Sequence, residues 1–137
     1  MTRRALVTGA AREGGIGRAV VDRLRADGDE VVTLDREPGC TWQVDVARDE
    51  LPDLGAVDVL VANAAITTLF GAAHTFDPER WQRDLDVNLT ETFRVVQQCL
   101  RGMRERGYGR IVIISSTAAT LGMPATFSNR SVAQPTA

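Results

Sequence analysis

The feature that most restricts how this chain can fold is a glycine-rich stretch between a short apolar run and an amphipathic segment. Residues 5–7 are apolar and β-prone, and the stretch from Thr8 to Gly17 that follows contains four glycines. The next segment has the apolar spacing of one helical face, and Gly28 supplies a stop. This order predicts a strand, a glycine turn and then a helix. The predicted apolar face of the helix comprises Ile16, Ala19, Val20 and Leu24.

A second strand is predicted over residues 30–35, because its centre is apolar on both faces. A glycine turn between a strand and a helix lets backbone N–H groups approach a pyrophosphate, and the helix N-terminus favours its negative charge. Asp35 ends the second strand eighteen residues after Gly17, near the ~20 at which an acid accepts hydrogen bonds from ribose hydroxyls. The glycines alone are also compatible with an ordinary tight turn. Together with Asp35 they predict a dinucleotide site.

The alternation of strands and helices continues along the chain. Further strands are predicted over residues 42–46, 58–62 and 110–114, and after Ser116 the sequence has no period, which predicts a loop to the C-terminus. Strands that alternate with helices favour right-handed crossovers and a parallel sheet with helices on its faces. We therefore expect a three-layer α/β architecture in a single domain over residues 1–137.

One long helix is predicted before the fifth strand. Asp77 is its N-cap, Pro78 occupies the first helical position, where a missing N–H does no harm, and Gly107 ends it. Its apolar face is predicted from residues spaced three or four apart, namely Trp81, Leu85, Leu89, Phe93, Val96, Leu100 and Met103.

Composition argues against several classes of function. All sixteen basic residues are Arg, so no Lys side chain is available for amine chemistry, and they are interspersed among 18 acidic residues. With a net charge of −2, this distribution argues against nucleic-acid binding. The apolar runs are far shorter than the ~20 residues that span a bilayer, and no secretory signal is recognisable, so a soluble cytoplasmic protein without membrane association is expected.

The potential metal-binding side chains are few and scattered. Cys40 and Cys99 have no paired spacing, and His74 is the only histidine. We therefore expect neither a disulfide framework nor a metal site, but buried thiols and a surface imidazole.

Further motifs follow the glycine turn in order. Asp45 and Val46 come after the third predicted strand, residues 62–65 read Ala-Asn-Ala-Ala, and residues 87–89 read Val-Asn-Leu. Together with residues 104–116, these motifs make the chain resemble the short-chain dehydrogenase/reductase family over about residues 3–128.

The resemblance implies a set of cofactor contacts. The glycine turn is similar to the family's TGxxxGIG pattern, although five residues rather than three separate Gly9 from Gly15. Residues 62–65 are similar to the family's NNAG segment with two substitutions, and the carboxylate of Asp45 would contact adenine. NAD is the implied cofactor, and NADP is disfavoured by Asp35. The implied cofactor-binding residues are Thr8, Gly9, Gly15, Ile16, Gly17, Asp35, Asp45, Val46, Asn63, Ala64 and Ala65.

Two catalytic positions of the family match this chain. Asn88 lies mid-helix, where Asn is a poor helix former, and the resemblance implies that it supports a water-linked proton relay. Ser116 lies at the end of a predicted parallel strand and would hydrogen-bond the substrate carbonyl. From the residues alone, an ordinary polar helix residue at Asn88 and a turn residue at Ser116 are the competing interpretations.

The chain departs from the family where a Tyr-x-x-x-Lys motif is expected. Arg130 and Gln134 stand at the two positions, and neither side chain can exchange a proton near neutral pH. The only tyrosine, Tyr108, belongs to the turn before the fifth strand.

These observations lead to a combined expectation. The resemblance implies a Rossmann-like, doubly wound parallel sheet of order 3-2-1-4-5, truncated after the fifth strand because family members are considerably longer. It also implies hydride transfer between NAD and a small alcohol or carbonyl substrate, although the chain alone is expected to be inactive. A homo-oligomer is expected because the strand edge at residues 111–114 and an apolar helix face would otherwise be exposed. A non-catalytic pseudoenzyme or interaction protein, and a fragment of an active oxidoreductase, remain alternatives.

Overall fold

The computed structural model describes residues 2–69 and 71–121, which contain five strands and four α-helices. In chain order the elements are β1 (Arg4–Thr8), α1 (Ile16–Ala26), β2 (Glu30–Asp35), β3 (Trp42–Gln43), β4 (Val59–Ala62), α2 (Pro78–Leu85), α3 (Thr92–Arg106), β5 (Arg110–Ile113) and α4 (Ala118–Leu121). A 3-10 turn over Ala73–Thr75 precedes α2, and a π-helical segment over Asp86–Glu91 joins α2 to α3.

All neighbouring strands are parallel, and their order across the sheet is β3-β2-β1-β4-β5. The predicted order and the Rossmann-like α/β class are thereby confirmed. The sheet order reverses between β1 and β4, and open α/β sheets bind ligands in the crevice at the carboxyl ends of strands at such a point. The topology therefore indicates where a site should form.

The two faces of the sheet carry separate apolar cores, which gives the three layers. The alternation of side chains along β1 sends Leu6 to one face and Ala5 and Val7 to the other. Val21 of α1 packs with Ala5 and Val7, while Cys99 of α3 packs with Leu6.

The strand predictions agree with the structure except at β3. This strand comprises two residues rather than the five predicted over residues 42–46. Pairing ends early because the chain turns at residues 46–48, where Asp45 accepts a hydrogen bond from the Ala47 N–H and its own N–H donates to Asp49. The turn leaves Asp45 at the carboxyl end of the sheet.

The ends of the long helix are as predicted. The Asp77 carboxylate accepts a hydrogen bond from the Glu79 N–H at 3.0 Å, Pro78 is the first residue of α2, and Gly107 is left-handed with φ of +66°. The helix is not continuous, however, because the wider π turn over residues 86–91 interrupts it.

The predicted apolar faces of both helices are partly wrong. Leu89, Phe93 and Leu100 are 40–61% exposed, because most residues that face the sheet lie one position before the predicted stripe, from Asp84 ahead of the π turn to Cys99 beyond it. The buried residues of this face are Asp84, Val87, Asn88, Glu91, Val95, Cys99 and Met103, of which only Met103 was predicted. In α1 the buried apolar side chain is Val21, and Ile16 is exposed.

The prediction of a loop after Ser116 is also partly wrong. Residues 118–121 form the short helix α4, whose first turn is capped by Ser116, since its hydroxyl accepts a hydrogen bond from the Ala118 N–H at 3.2 Å. Arg130 and Gln134, which stand where the family's Tyr and Lys are expected, lie outside the described residues.

The thiols and the imidazole have environments close to those expected. Cys99 is buried and Cys40 half-buried, both are free, and His74 is exposed. Burial raises the pKa of the Cys99 thiol to about 11 against the opposing charge of Arg106, which leaves it protonated and unreactive. Among the described helices, none combines the length and the apolar character needed to cross a bilayer.

Candidate nucleotide-binding site

A cleft of about 630 Å³ opens at the carboxyl edge of the sheet, where the topology predicts a site. Its wall combines the glycine turn, the ends of β2 and β4, the turn after β3 and the helix through the π segment. It is lined by Gly9, Arg12, Gly14, Gly15, Ile16, Gly17, Leu34, Asp35, Arg36, Glu37, Val44, Asp45, Val46, Asn63, Ala64, Ala65, Ile66, Arg83, Val87 and Glu91. All the predicted cofactor-binding residues except Thr8 are among them.

The glycine turn is packed so closely that two of its residues have no room for a side chain. A Cβ on Gly9 would lie 2.7 Å from the Ala64 Cα, and the φ of +67° at Gly9 favours glycine as well. A Cβ on Gly17 would overlap the Gly9 carbonyl oxygen and lie 2.6 Å from Asn63 Nδ2. Glycine at these positions lets β1, α1 and the end of β4 approach one another.

The N-terminus of α1 is open toward the cleft. The N-cap residue is Gly15, so no side chain caps the helix by a hydrogen bond, and the first turn contains no acidic residue. The first intrahelical hydrogen bond runs from the Ala19 N–H to the Gly15 carbonyl, so the N–H groups of Ile16, Gly17 and Arg18 have no partner within the helix. An anion is the ligand that such a helix end favours.

Thr8 and Asn63 tie the turn to β4. The Thr8 Oγ1 accepts hydrogen bonds from the N–H groups of Asn63 and Ala64, both at 3.0 Å. The Asn63 Nδ2 donates to the carbonyls of Thr8 and Gly9 at 3.1 and 2.9 Å. Thr8 is buried and is not one of the lining residues, so in this structure it positions the wall of the cleft.

Asp35 is fixed at the end of β2 by two backbone donors. Its Oδ2 accepts from the Ala11 N–H at 2.9 Å and its Oδ1 from the Glu37 N–H at 3.0 Å. Both hydrogen bonds hold the carboxylate beside the glycine turn. Two cations share this part of the cleft, Arg12 on the turn and Arg36, which pairs with Glu37 at 3.2 Å.

Asp45 lies across the cleft from the turn. Its Oδ1 accepts from the Ala47 N–H, and its Oδ2 lies 3.3 Å from the Arg83 guanidinium of α2. Val46 follows it in the cleft wall. The structure thus brings the predicted residues Asp35, Asp45 and Val46 into one cleft from separate parts of the chain.

Glu91 is a cleft residue that the sequence analysis missed. It is 2% exposed, and its Oε2 has no hydrogen-bond partner among the described residues. Burial, together with the nearby charges of Asp45 and Asp35, raises the pKa of Glu91 to about 8 against the opposing charge of Arg94. The signal that could have revealed it is its spacing of four from Val87 and from Val95, both of which are buried.

The two predicted catalytic residues have different surroundings. The Asn88 side chain is buried and is bound twice to one residue of the cleft wall, since its Oδ1 accepts from the Ile66 N–H and its Nδ2 donates to the Ile66 carbonyl, both at 2.8 Å. Ser116 is exposed and is not among the residues that line the cleft. The described structure therefore connects Asn88 with the cleft but does not bring Ser116 to it.

Two solved structures resemble this fold closely. One is an oxidoreductase of the short chain dehydrogenase/reductase family from Burkholderia thailandensis, with a TM-score of 0.78 and 32% identity over 97% of this chain and 59% of that one. The other is the aldohexose dehydrogenase of Thermoplasma acidophilum, with a TM-score of 0.83 and 26% identity over 96% of this chain and 56% of that one.

Sequence comparisons agree with the structural ones. The acetoacetyl-CoA reductase of Rhizobium meliloti is 39% identical over 85% of this chain, which spans 56% of that reductase. The family model for short chain dehydrogenases matches residues 39–128. The family model covers more than half of the chain, and the fold agrees with it. The chain therefore belongs to the short-chain dehydrogenase/reductase family.

Proposed function

We propose that residues 1–137 form the NAD-binding domain of an oxidoreductase that acts on an alcohol or a carbonyl compound. The observation that carries the proposal is the open N-terminus of α1, which lies in the same cleft as the fixed carboxylate of Asp35. One element favours an anion and the other accepts hydroxyl hydrogen bonds, and the two parts of an ADP-ribose unit require these two properties.

The cleft residues fit such a ligand in a definite arrangement. The backbone N–H groups of Ile16 and Gly17 would hold the pyrophosphate, since they have no partner within the helix and both residues line the cleft. Asp35 would bind the ribose hydroxyls, and Asp45 and Val46 would border the base. When bound, the nicotinamide of NAD exchanges a hydride with a carbon of the substrate.

NAD is favoured over NADP because of the charge at Asp35. The Asp35 side chain, held in place by two backbone hydrogen bonds, would repel a 2′-phosphate. Arg12 and Arg36 in the same part of the cleft reduce this discrimination without cancelling it, since Arg36 is paired with Glu37.

Calorimetric titration of the chain with ADP-ribose, NAD and NADP tests the proposal. We expect binding of ADP-ribose and tighter binding of NAD than of NADP. Asp35→Asn should reverse this order, because it removes the charge and keeps the shape of the side chain. Absence of ADP-ribose binding would refute the nucleotide site, and tighter binding of NADP by the unmodified chain would refute the role of Asp35.

For the reaction itself, we propose that Ser116 would polarise the substrate oxygen and Asn88 would support a proton relay, while the chain alone is inactive. The sequence contains no Lys, and its only tyrosine precedes β5, at the amino edge of the sheet. The cleft lies at the carboxyl edge, about 13 Å away at the rise of a four-residue strand. Tyr108 is therefore too distant to serve as the general acid.

Assays of NADH oxidation with a panel of ketones, aldehydes and acyl thioesters test for activity of the purified chain. We expect no turnover, since the loss of a general acid or base alone lowers rates by about 10²–10⁴-fold. Turnover that Ser116→Ala lowers, but that the neighbouring change Thr117→Ala leaves intact, would refute the proposed inactivity. The panel is broad because one relative acts on acetoacetyl-CoA and another on an aldohexose, by their names.

We also propose that the protein is a cytoplasmic homo-oligomer. Its described surface exposes an apolar stripe on the long helix and, on β5, Val112 and Ile113, which are 48% and 56% exposed. A second copy of the chain would cover such surfaces. Sedimentation is the test: an oligomer that Phe93→Glu dissociates supports the proposal, and a monomer at concentrations of about 100 μM, well above typical micromolar affinities, contradicts it.

A further inference from the structure

The nucleotide cleft contains a buried carboxyl group with an unused oxygen. Glu91 lines the cleft, is 2% exposed, and its Oε2 has no hydrogen-bond partner in the described part of the chain. Buried polar atoms in proteins nearly always have a hydrogen-bond partner. An oxygen without one at the wall of a cleft therefore indicates that a bound ligand provides the partner.

The position of Glu91 along the cleft identifies the part of the ligand that it would meet. The open end of α1 favours the phosphates, and Asp35 on the next strand favours the ribose. Glu91 lines the cleft together with Val46 and Val87, whose apolar side chains would border a flat ring, and it lies close enough to Asp45 and Asp35 to feel their charges. This part of the cleft suits a nucleobase.

Neighbouring side chains do not satisfy Glu91 in another way. The Arg94 guanidinium donates to the carbonyls of Val46 and Asp49 at 2.7 and 3.0 Å, while Arg83 is paired with Asp45. Within residues 2–69 and 71–121, no three His, Cys, Asp or Glu side chains are arranged to bind a metal ion. The free oxygen is therefore left for an organic ligand.

On the basis of the proposed dinucleotide binding, we propose that Glu91 is a nucleobase-binding residue whose carboxyl group pairs with the amino group and an adjacent ring nitrogen of adenine. Adenine offers an N–H donor beside a ring-nitrogen acceptor. A neutral carboxylic acid offers a carbonyl acceptor beside an O–H donor, so the two edges match. An ionised carboxylate would instead turn a second acceptor toward the ring nitrogen.

The charges around Glu91 favour the neutral acid that this pairing needs. Burial and the carboxylates of Asp45 and Asp35 raise its pKa to about 8, and Arg94 is the charge that opposes them. At neutral pH the group is therefore protonated before the ligand binds. Above that pKa the proton must be taken up on binding, so affinity should fall by up to about tenfold per pH unit.

The test is calorimetric titration of ADP-ribose into the chain and its variants from neutral pH to well above the Glu91 pKa. The unmodified chain should bind with constant affinity at first and then progressively more weakly. Glu91→Gln keeps a donor beside an acceptor, so it should bind as tightly as the unmodified chain at neutral pH and show no such weakening. Glu91→Met keeps the volume but no hydrogen bond, and it should bind at least about tenfold more weakly, as expected for a lost hydrogen bond to a buried partner.

Glu105→Gln is the matched control, because Glu105 is an exposed acid on α3. It should leave both the affinity and its pH dependence unchanged. If the unmodified chain binds ADP-ribose but Glu91→Gln and Glu91→Met bind equally well with the same pH profile, the role of Glu91 is refuted while the nucleotide site stands. If the unmodified chain binds no ADP-ribose at any pH, the proposed function fails and this inference fails with it.

Discussion

The two sides of the carboxyl edge of the sheet differ in how their polar side chains are held. Beside β1 and β2, the side chains of Thr8, Asp35 and Asn63 each bind the backbone of a distant segment. Beyond β5, Ser116 is exposed, and within the described part of the chain its hydroxyl binds only the N–H of Ala118, two residues on. The nucleotide side is thus preorganised by the described residues, whereas the proposed catalytic side is not.

This difference predicts how changes on the two sides should behave. A substitution on the nucleotide side breaks contacts between segments, so it should alter stability and ligand affinity together. A substitution beyond β5 breaks only a local contact and should alter neither much.

The largest effect is expected from Gly17→Ala. The new Cβ would overlap the Gly9 carbonyl and lie 2.6 Å from Asn63 Nδ2, and neither backbone nor clamped amide can move freely. We expect the free energy of unfolding to fall by about 1–3 kcal/mol. ADP-ribose binding should weaken by up to about a hundredfold, because the same distortion displaces the N–H groups that would bind the ligand. Denaturant unfolding and calorimetry measure the two quantities.

Gly102→Ala is the matched control for that prediction. Gly102 also lies in a helix, but a Cβ there would meet only the Arg106 guanidinium, a side-chain end that also binds the Val57 carbonyl and can shift more easily than backbone. The gain in helix propensity and the cost of that shift oppose each other, so stability should change by less than about 1 kcal/mol and ligand binding should be unchanged. If Gly17→Ala and Gly102→Ala behaved alike, the close packing of the turn would not be what constrains residue 17.

The next largest effect is expected at Asn88. Asn88→Ala removes both hydrogen bonds to Ile66 and leaves the half-buried N–H and carbonyl of Ile66 without these partners. We expect the free energy of unfolding to fall by about 1–3 kcal/mol in total, because Ile66 is half-buried and water can replace part of what is lost, and we expect no hundredfold loss of ADP-ribose affinity as for Gly17→Ala. Thr92→Ala, which removes one longer hydrogen bond of 3.2 Å to the Asn88 carbonyl, should lower the free energy of unfolding less. Equal losses in thermal or denaturant unfolding would argue against a structural role for the Asn88 amide.

These residues show how far the sequence alone could predict the fold and the site. The glycine turn and Asp35 are recognisable because strand, turn and helix follow one another within a single βαβ unit. The buried face of the long helix was not predictable from the spacing of apolar residues, because Asp84 and Glu91 are buried on it while apolar residues such as Phe93 are exposed. Glu91 was missed because an acid on a helix is ordinarily assigned to the solvent.

Glu91 also allows a test of the unliganded protein. Its pKa is raised from 4.5 to about 8, so between these values the folded state retains a proton that the unfolded state has released. The free energy of unfolding should therefore decrease with rising pH across this window, by at most about 1.4 kcal/mol per pH unit, and level off above it. Glu91→Gln should remove this component. Parallel pH profiles for the variant and the unmodified chain in denaturant unfolding would contradict the raised pKa.

The smallest effect is expected from Ser116→Ala, on the side that is not preorganised. The Ser116 hydroxyl accepts one hydrogen bond, from the Ala118 N–H at the start of a four-residue helix, and water can replace it because Ser116 is exposed. We expect a decrease of less than about 1 kcal/mol in the free energy of unfolding, at the low end for loss of an N-cap, and no change in ADP-ribose affinity. A loss of affinity comparable to that of Gly17→Ala would mean that Ser116 reaches the nucleotide, and the two sides of the edge would then form one site rather than two regions that differ in organisation.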